Sequence, residues 1–389
     1  MKLFVILPRV PYPVEKGDKL RAFNQIKYLS KHFELHLCAL NDDQVHPQAY
    51  QEIQPYCKSF HILKISRVSV VINLIRAFFS GLPFQIGYYF NSKIERKIHK
   101  LIDEVKPDHI YCQLVRTAEY VKDVAIPKSI DYQDVFSKGI ERRYQKAPFY
   151  LKPIFNLEYK RLVKYEALVY DRFQHKTIIS ESDRDLIQHP KHDQIHIVRN
   201  GVDFKFFHPI EKNKKYDLVF TGNMNYAPNV NAALFLVNKV MPLVWQQNSN
   251  ITLLLAGASP NPKVKALASD KVHISGWMDD IRDAYAESKV FIAPMQIGTG
   301  LQNKLLEAMS MNMPCITSDL ANAALKAAKD REVLIGAEPE QYAGHIIKLL
   351  EDEGYATEIA DAGHQYVLKN FDWDGATKIL AELIQNTNH

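Results

Sequence analysis

Short β-branched apolar runs alternate along this 389-residue chain with longer stretches in which apolar residues recur every three or four positions. LFVIL (3–7), LHLCAL (35–40), FHILKI (60–65), HIYCQL (109–114), SIDY (129–132), KTIIS (176–180) and IHIV (195–198) predict strands. KLRAFNQIKYLSKHF and LEYKRLVKYEALVYDRF, which lie among them, carry the helical period. Continuous apolar strands separated by helices predict a mostly parallel sheet covered on both faces.

The turn dipeptide Asn200-Gly201, then His208-Pro209 and the charged stretch EKNKK, punctuate this alternation and suggest a linker. It then restarts: DLVFTG, a helix from about Asn229, ITLLLAG, VHISGW, VFIAPM, CITS and VLIG, followed by a terminal helix. The expectation is an α/β protein of two doubly wound domains in tandem, and the length suits two domains. Ligands of such sheets sit beyond the carboxyl ends of the strands, so two facing domains would make a cleft between those ends.

Charge adds an asymmetry. Residues 1–199 hold 32 Lys+Arg against 22 Asp+Glu, and the remainder 17 against 22. No acid lies between Glu52 and Glu95, while Lys58, Lys64, Arg67, Arg76 and Lys93 are interleaved with apolar residues. A solvated helix face with an apolar core side is one reading, and a surface for anionic lipid headgroups or an anionic acceptor is the other. VSVVINLIRAFF (68–79) carries Arg76 and stops at Gly81-Leu82-Pro83, so it fits a buried or interfacial helix rather than a span. The N-terminal apolar run is cut by Pro8, too short for a signal peptide. Nucleic acid is not an expected partner, since no Lys/Arg-rich run, zinc spacing or RNP-like motif accompanies the charge. Cys38, Cys57, Cys112 and Cys315 lie far apart, with neither zinc nor disulfide spacing, which fits a reducing cytosol.

Two loops carry candidate chemistry. PRVPYPVEKGDKLRAF puts Gly17 and Asp18 between the first strand and the first helix, where free amides can receive phosphate; a turn glycine and an N-cap aspartate are the plainer reading. Neither G-x-G-x-x-G after strand one nor G-x-x-x-x-G-K-[ST] is present, which disfavours a dinucleotide oxidoreductase or a P-loop enzyme. Gly298-Thr299-Gly300 follows VFIAPM and opens the predicted helix LQNKLLEAMSM, whose first amides would favour an anion. Lys304 stands three residues before Glu307 on one helix side. That pair is either a plain surface ion pair or a phosphate-binding cation beside a carboxylate that accepts sugar hydroxyls.

GTGLQNKLLEAMSMNMPCITS resembles the donor-site segment of the family 4 retaining glycosyltransferases, E-G-[FL]-G-x-x-x-L-E-A-M-A-x-G-x-P-[VI]. PYPVEKGDKLRAF, RNGVD (199–203) and DLVFTGNMNYAPNVNAALFLVNKVMP are similar to other segments of that family, in particular of bacterial exopolysaccharide and exosortase-associated sugar transferases. The resemblance implies the GT-B fold, two Rossmann-like domains around a cleft: an acceptor-side domain (1–205), a donor-binding domain (206–370) and a C-terminal helix (371–389) that crosses back to the first domain.

It also implies roles. Lys304 would reach the donor diphosphate with the amides of Gly298, Thr299, Gly300 and Leu301, flanked by Gln302 and Asn303, and Glu307 would bind the ribose. Thr299 stands where the family's first glutamate is usual, and Asn223, after Gly222, where an arginine is usual. Arg21 or Lys19 would compensate, with Gly17 and Asp18 on the donor side as well. Gly276-Trp277 resembles the step beside the nucleobase, where Trp277 would stack unless it is a core or surface indole. Asp131 and Asp134 fall where acceptor-side residues are expected, or are turn and cap residues. Phe371-Asp372-Trp373 reads as a cap and packing element rather than a metal-binding D-x-D motif.

The implied activity is retaining, metal-independent hexosyl transfer from a UDP- or GDP-linked co-substrate, with no further cofactor, to a glycan or lipid-linked acceptor in bacterial surface polysaccharide synthesis. The expected place is the cytoplasm, at the inner membrane face. A catalytically silent NDP-sugar binder and an NDP-sugar 2-epimerase would share the fold.

Overall fold

The structure, a computed structural model, describes residues 1–14, 16–297 and 300–386, the side chains of Arg67 and Lys146 excepted. The chain forms two units, one made of Met1–Arg199 with the residues from Trp373 on, the other of Asn200–Asp372.

The first unit holds β1 (Lys2–Leu7), β2 (Glu34–Asn41), β3 (Ser59–Lys64), β4 (His109–Gln113), β5 (Lys128–Asp131), β6 (His175–Ile178) and β7 (His196–Ile197). They make one parallel sheet in the order β3-β2-β1-β4-β5-β6-β7. In β1 every residue from Leu3 to Leu7 is buried, which is why both of its faces are apolar. All seven runs picked out in the first half of the sequence are strands of this sheet.

A buried polar cluster ties the first helix, Gly17–Leu29, to the sheet. Asp131, at the end of β5, accepts from Arg21 Nε at 2.6 Å, Tyr111 OH at 3.2 Å and Gln25 Nε2 at 3.3 Å. Arg21 and Asp131 are fully buried. Buried charge is tolerated only when paired and hydrogen-bonded, and the Asp131 carboxylate meets that condition. The terminal helix Trp373–Gln385 packs on the same first helix: Leu380, Ala381 and Ile384 share a core with Ala22, Ile26 and Leu29, and Lys31 pairs with Asp374 at 2.7 Å. Trp373 is buried at its start, the packing role expected for that step.

The second unit repeats the plan with β8 (Tyr216–Thr221), β9 (Leu253–Ala256), β10 (Val272–Gly276), β11 (Ser288–Ala293), β12 (Cys315–Thr317) and β13 (Leu334–Ile335), parallel and in the order β10-β9-β8-β11-β12-β13. The chain enters this unit at Asn200, ahead of the expected 205/206 boundary, and leaves it at Asp372 rather than at 370. The reason is local packing. Val202 N–H donates to Phe371 O at 2.8 Å, and Phe204 and Phe207 lie on the second core. The charged EKNKK stretch is no free linker: Lys214 Nζ donates to Ala286 O and Ser288 O at 2.9 and 2.8 Å, and Lys212 and Lys215 pair with Asp283 and Glu287.

Asp131→Ala would strand the Arg21 charge without its carboxylate. The unfolding free energy is expected to fall by about 3–5 kcal/mol in urea titrations, whereas a change under 1 kcal/mol, on the scale of an exposed pair, would show that the cluster contributes little.

Candidate functional site

In the second sheet the strand order reverses between β8 and β11, so the connections that leave these two strands diverge and open a crevice at their carboxyl ends. After β8 comes Gly222, and beyond β11 comes the helix Asn303–Ser310. Gly222 and Gly257 hold the crevice floor with φ of +145° and +134°, a backbone region that glycine occupies without strain. A Cβ on Gly257 would stand 2.0 Å from Gly222 O, and one on Gly222 would stand 2.6 Å from Asn229 Nδ2 and 3.2 Å from Lys304 Nζ. Two bare backbones thus leave the room that Lys304 occupies.

Lys304 Nζ donates to Asn229 Oδ1, and Asn229 Nδ2 donates to Asn223 O at 2.9 Å. One amide therefore links the lysine to the loop after β8. The ammonium also lies 4.7 Å from the Phe220 ring centroid. Burial lowers its pKa to about 7, against the pull of the Glu307 charge in the other direction. Glu307 Oε2 accepts from Tyr285 OH at 2.7 Å, and that hydroxyl also bonds to Thr221 Oγ1 at 2.8 Å. Burial raises the Glu307 carboxyl, while Tyr285 and Lys304 hold it down. The pair is therefore no simple surface ion pair: each group is fixed by a partner from elsewhere in the unit. A half-desolvated ammonium beside a carboxylate can bind an anion and, next to it, a neighbouring hydroxyl.

The other described residues nominated in this unit lie at or after the ends of β8, β10 and β11. Gly298 and Thr299 lie outside the described residues. The helix opens at Asn303 rather than at Leu301, because Leu301 turns into the second core and Gln302 takes the cap position, with its Nε2 donating to Gly300 O at 2.8 Å. The amides at the helix start are thus those of Asn303 and Lys304, and Asn303 Oδ1 accepts from Asn200 Nδ2 at 3.4 Å. Asn223 is exposed, and its Oδ1 closes a local turn by accepting from Asn225 N–H at 3.0 Å. Gly276 ends β10, and Trp277 beside it is 61% exposed with Nε1 donating to Asp279 Oδ1 at 3.2 Å, so the indole is not a core residue. Asn229, Tyr285 and Thr221 escaped the sequence reading. Their one signal is that each is a polar residue at or just past a strand end, or within an apolar helix.

The first sheet reverses between β1 and β4. Of the residues nominated there, Gly17 and Asp18 open the first helix, but Lys16, not Asp18, is its cap residue, and Asp18 pairs with Arg9 Nε at 3.2 Å. Arg21 and Asp131 are unavailable to any ligand because both are buried in their mutual ion pair. Asp134 is exposed past β5, its Oδ1 accepting from Val135 N–H at 2.7 Å. Lys19, nominated with Arg21, does reach solvent space: with Arg9, Lys16, Tyr12, Asp42 and Asp43 it lines a cavity of about 350 Å³. Arg116, after β4, lies over the Tyr89 and Phe136 rings at 4.9 and 4.5 Å.

Residues 215–352 match the family described as "Glycosyl transferases group 1". An uncharacterized 44.6 kDa protein in the cps region of Klebsiella pneumoniae is 21% identical, over 95% of this chain and 96% of its own length. Sucrose-phosphate synthase from Thermosynechococcus elongatus superposes with a TM-score of 0.72 at 14% identity, covering 100% of this chain and 99% of the other. HepE of Anabaena, in complex with UDP and glucose, superposes at 0.70 and 13% identity, covering 98% and 99%. The two-sheet architecture described above is that of these neighbours, the GT-B fold.

Tyr285→Phe removes a hydroxyl that holds the Glu307 carboxyl down against the effect of burial. The carboxyl is then expected to protonate at higher pH, and the unfolding free energy to fall by about 1–2 kcal/mol in denaturant titrations at neutral pH. An unchanged midpoint would show that Glu307 does not depend on this bond.

Proposed function

We propose a donor and a route for this chain, a glycosyltransferase of the GT-B fold: it moves a hexosyl group from a UDP- or GDP-linked sugar to a glycan or lipid-linked acceptor, with retention and without a metal, in bacterial surface polysaccharide synthesis. The observation that carries the reading is Lys304, held by Asn229 against the bare backbone of Gly222 where the strand order reverses. The cps-region relative and the UDP-bound HepE neighbour support the pathway and the donor class.

In this reading the donor diphosphate lies over Gly222, bound by Lys304 and the amides that open the Asn303–Ser310 helix. Glu307, oriented by Tyr285, accepts the ribose hydroxyls. The exposed Trp277 offers a face to the base. As the bond between C1 and the phosphate oxygen breaks, negative charge grows on the diphosphate, and a cation preset against it lowers the barrier. The acceptor oxygen bonds to C1 on the same face, and its proton passes to the departing phosphate oxygen. Asp134, exposed past β5, is the acceptor-side carboxylate that remains open to solvent. The cytoplasm, at the inner membrane face, is the proposed place of action, and among the described residues no helix is long and apolar enough to cross a membrane.

Lys304→Ala is expected to lower kcat on the order of a hundredfold or more, as loss of a preset charge-stabilising donor does, in assays of UDP or GDP release with a donor panel. Turnover equal to the parent would remove Lys304 from the leaving-group site. NMR of the product should show the donor's anomeric configuration, and EDTA should leave the rate unchanged. The lowered Lys304 pKa sets a proton signature, because the group is largely neutral above about 7 and a bound diphosphate restores its charge. Calorimetric UDP binding at about pH 8 should therefore take up close to one proton, and much less at about pH 6. Equal uptake at both would contradict it.

A further inference from the structure

The helix Arg67–Ser80 is turned inside out. Val68, Val71, Ile72, Ile75, Phe78 and Phe79 are all exposed, Phe79 at 82% and Val68 at 72%. At 100° per residue they fill one arc of roughly 120° along the helix. The opposite side, packed on the protein, carries a polar and a small residue, Asn73 and Ala77, beside the partly buried Val70. Asn73 is buried and its Nδ2 donates to Phe90 O at 2.6 Å, while Ala77 abuts Gly87, where a Cβ would stand 2.5 Å from the Ala77 Cβ.

This orientation is fixed rather than loose. Arg161, on the helix Lys152–Arg172, clasps the far end by donating to Ala77 O, Phe78 O and Leu82 O at 3.0, 2.8 and 3.2 Å. Turning the helix over would bury its large apolar side chains, at about 1.5–3 kcal/mol each. The Asn73 bond, the close Gly87 contact and the Arg161 clasp all oppose that. Two turns before Arg161, and on the same side of its helix, Ile154 is exposed, next to Phe149 and Tyr150, which are exposed as well. Arg161 thus ties the helix that carries one apolar patch to the helix that carries the other, both in the first unit.

We infer that this face docks on an anionic phospholipid bilayer, with the Arg67–Ser80 helix lying in the interface. Charge chooses the occupant. No acid stands between Glu52 and Glu95, and Arg76 and Lys64 are exposed beside or just before the apolar arc. Anionic headgroups attract each such cation by about 1 kcal/mol, whereas a second copy packed face to face would set Arg76 near its own counterpart. The far side of the same helix supplies Val70 to the cavity lined by Arg9, Lys16 and Lys19 and by Asp42 and Asp43, about 10 Å, one helix diameter, from the docked face. The inference deepens the transfer reading and rests on it for its purpose, the delivery of a lipid-linked acceptor, but not for its test.

The test is flotation of the full chain at low salt with vesicles of phosphatidylcholine alone or doped with phosphatidylglycerol. The parent should float with the doped vesicles only, Arg76→Glu should float less, and Ile75→Ser with Phe79→Ser should lower partitioning by at least about tenfold. Unchanged thermal unfolding and UDP binding of the double variant show that its fold and donor site are intact. A parent that stays down with doped vesicles, or a double variant that floats equally well, overturns the inference. So does a parent dimer in size-exclusion chromatography that the double variant splits while neither floats. Sugar transfer to a soluble acceptor is measured on the same samples, so that loss of docking and failure of the transfer reading are told apart.

Discussion

The absence of side-chain volume at Gly222 and Gly257 is the constraint on which the second unit's site depends. Backbone approaches backbone there more closely than any Cβ permits, and the space left above Gly222 becomes the seat of a half-buried lysine. Burial then does the rest. It makes the ammonium reluctant to stay charged while the site is empty, and an incoming anion favours the charged form. Asn229 and Tyr285 turn this from a loose cation and a loose carboxylate into two groups with fixed positions, and fixed position is what charge stabilisation during bond breaking requires.

Thirteen strands and the segment that carries the candidate pair, Lys304 and Glu307, were legible in the sequence, because both depend on local patterns: apolar runs for the strands, glycines ahead of a spaced lysine and glutamate for the candidate pair. What stayed hidden depends on contacts between residues far apart. Arg21 and Asp131, 110 positions apart, look like two free functional groups on paper and are one buried ion pair in the fold. Asn229 reads as an ordinary polar helix residue until Lys304, 75 positions on, is placed against it. The EKNKK stretch has the composition of a linker, yet its lysines find carbonyls and carboxylates on the Arg282–Ala286 helix and its surroundings.

The Arg67–Ser80 helix marks a different limit. Its amphipathic pattern is plain, but a pattern states only that one side differs from the other. The usual assumption puts the apolar side inward, and here Asn73, Gly87 and Arg161 decide the opposite. The periodicity gives the existence of the helix and the tertiary hydrogen bonds give its rotation.

The path of the chain through the two units has a consequence for how the protein comes to be folded. The second unit is continuous, from Asn200 to Asp372, and everything that it needs is in hand once that stretch has left the ribosome. The first unit is interrupted, and Leu380, Ala381 and Ile384 reach its core only after the second has been made in full. The apolar surface of the helix Gly17–Leu29 that they cover must therefore wait uncovered through the synthesis of an entire intervening unit. Until that point this surface is open to aggregation and to proteases, and it lies in the half that was made first.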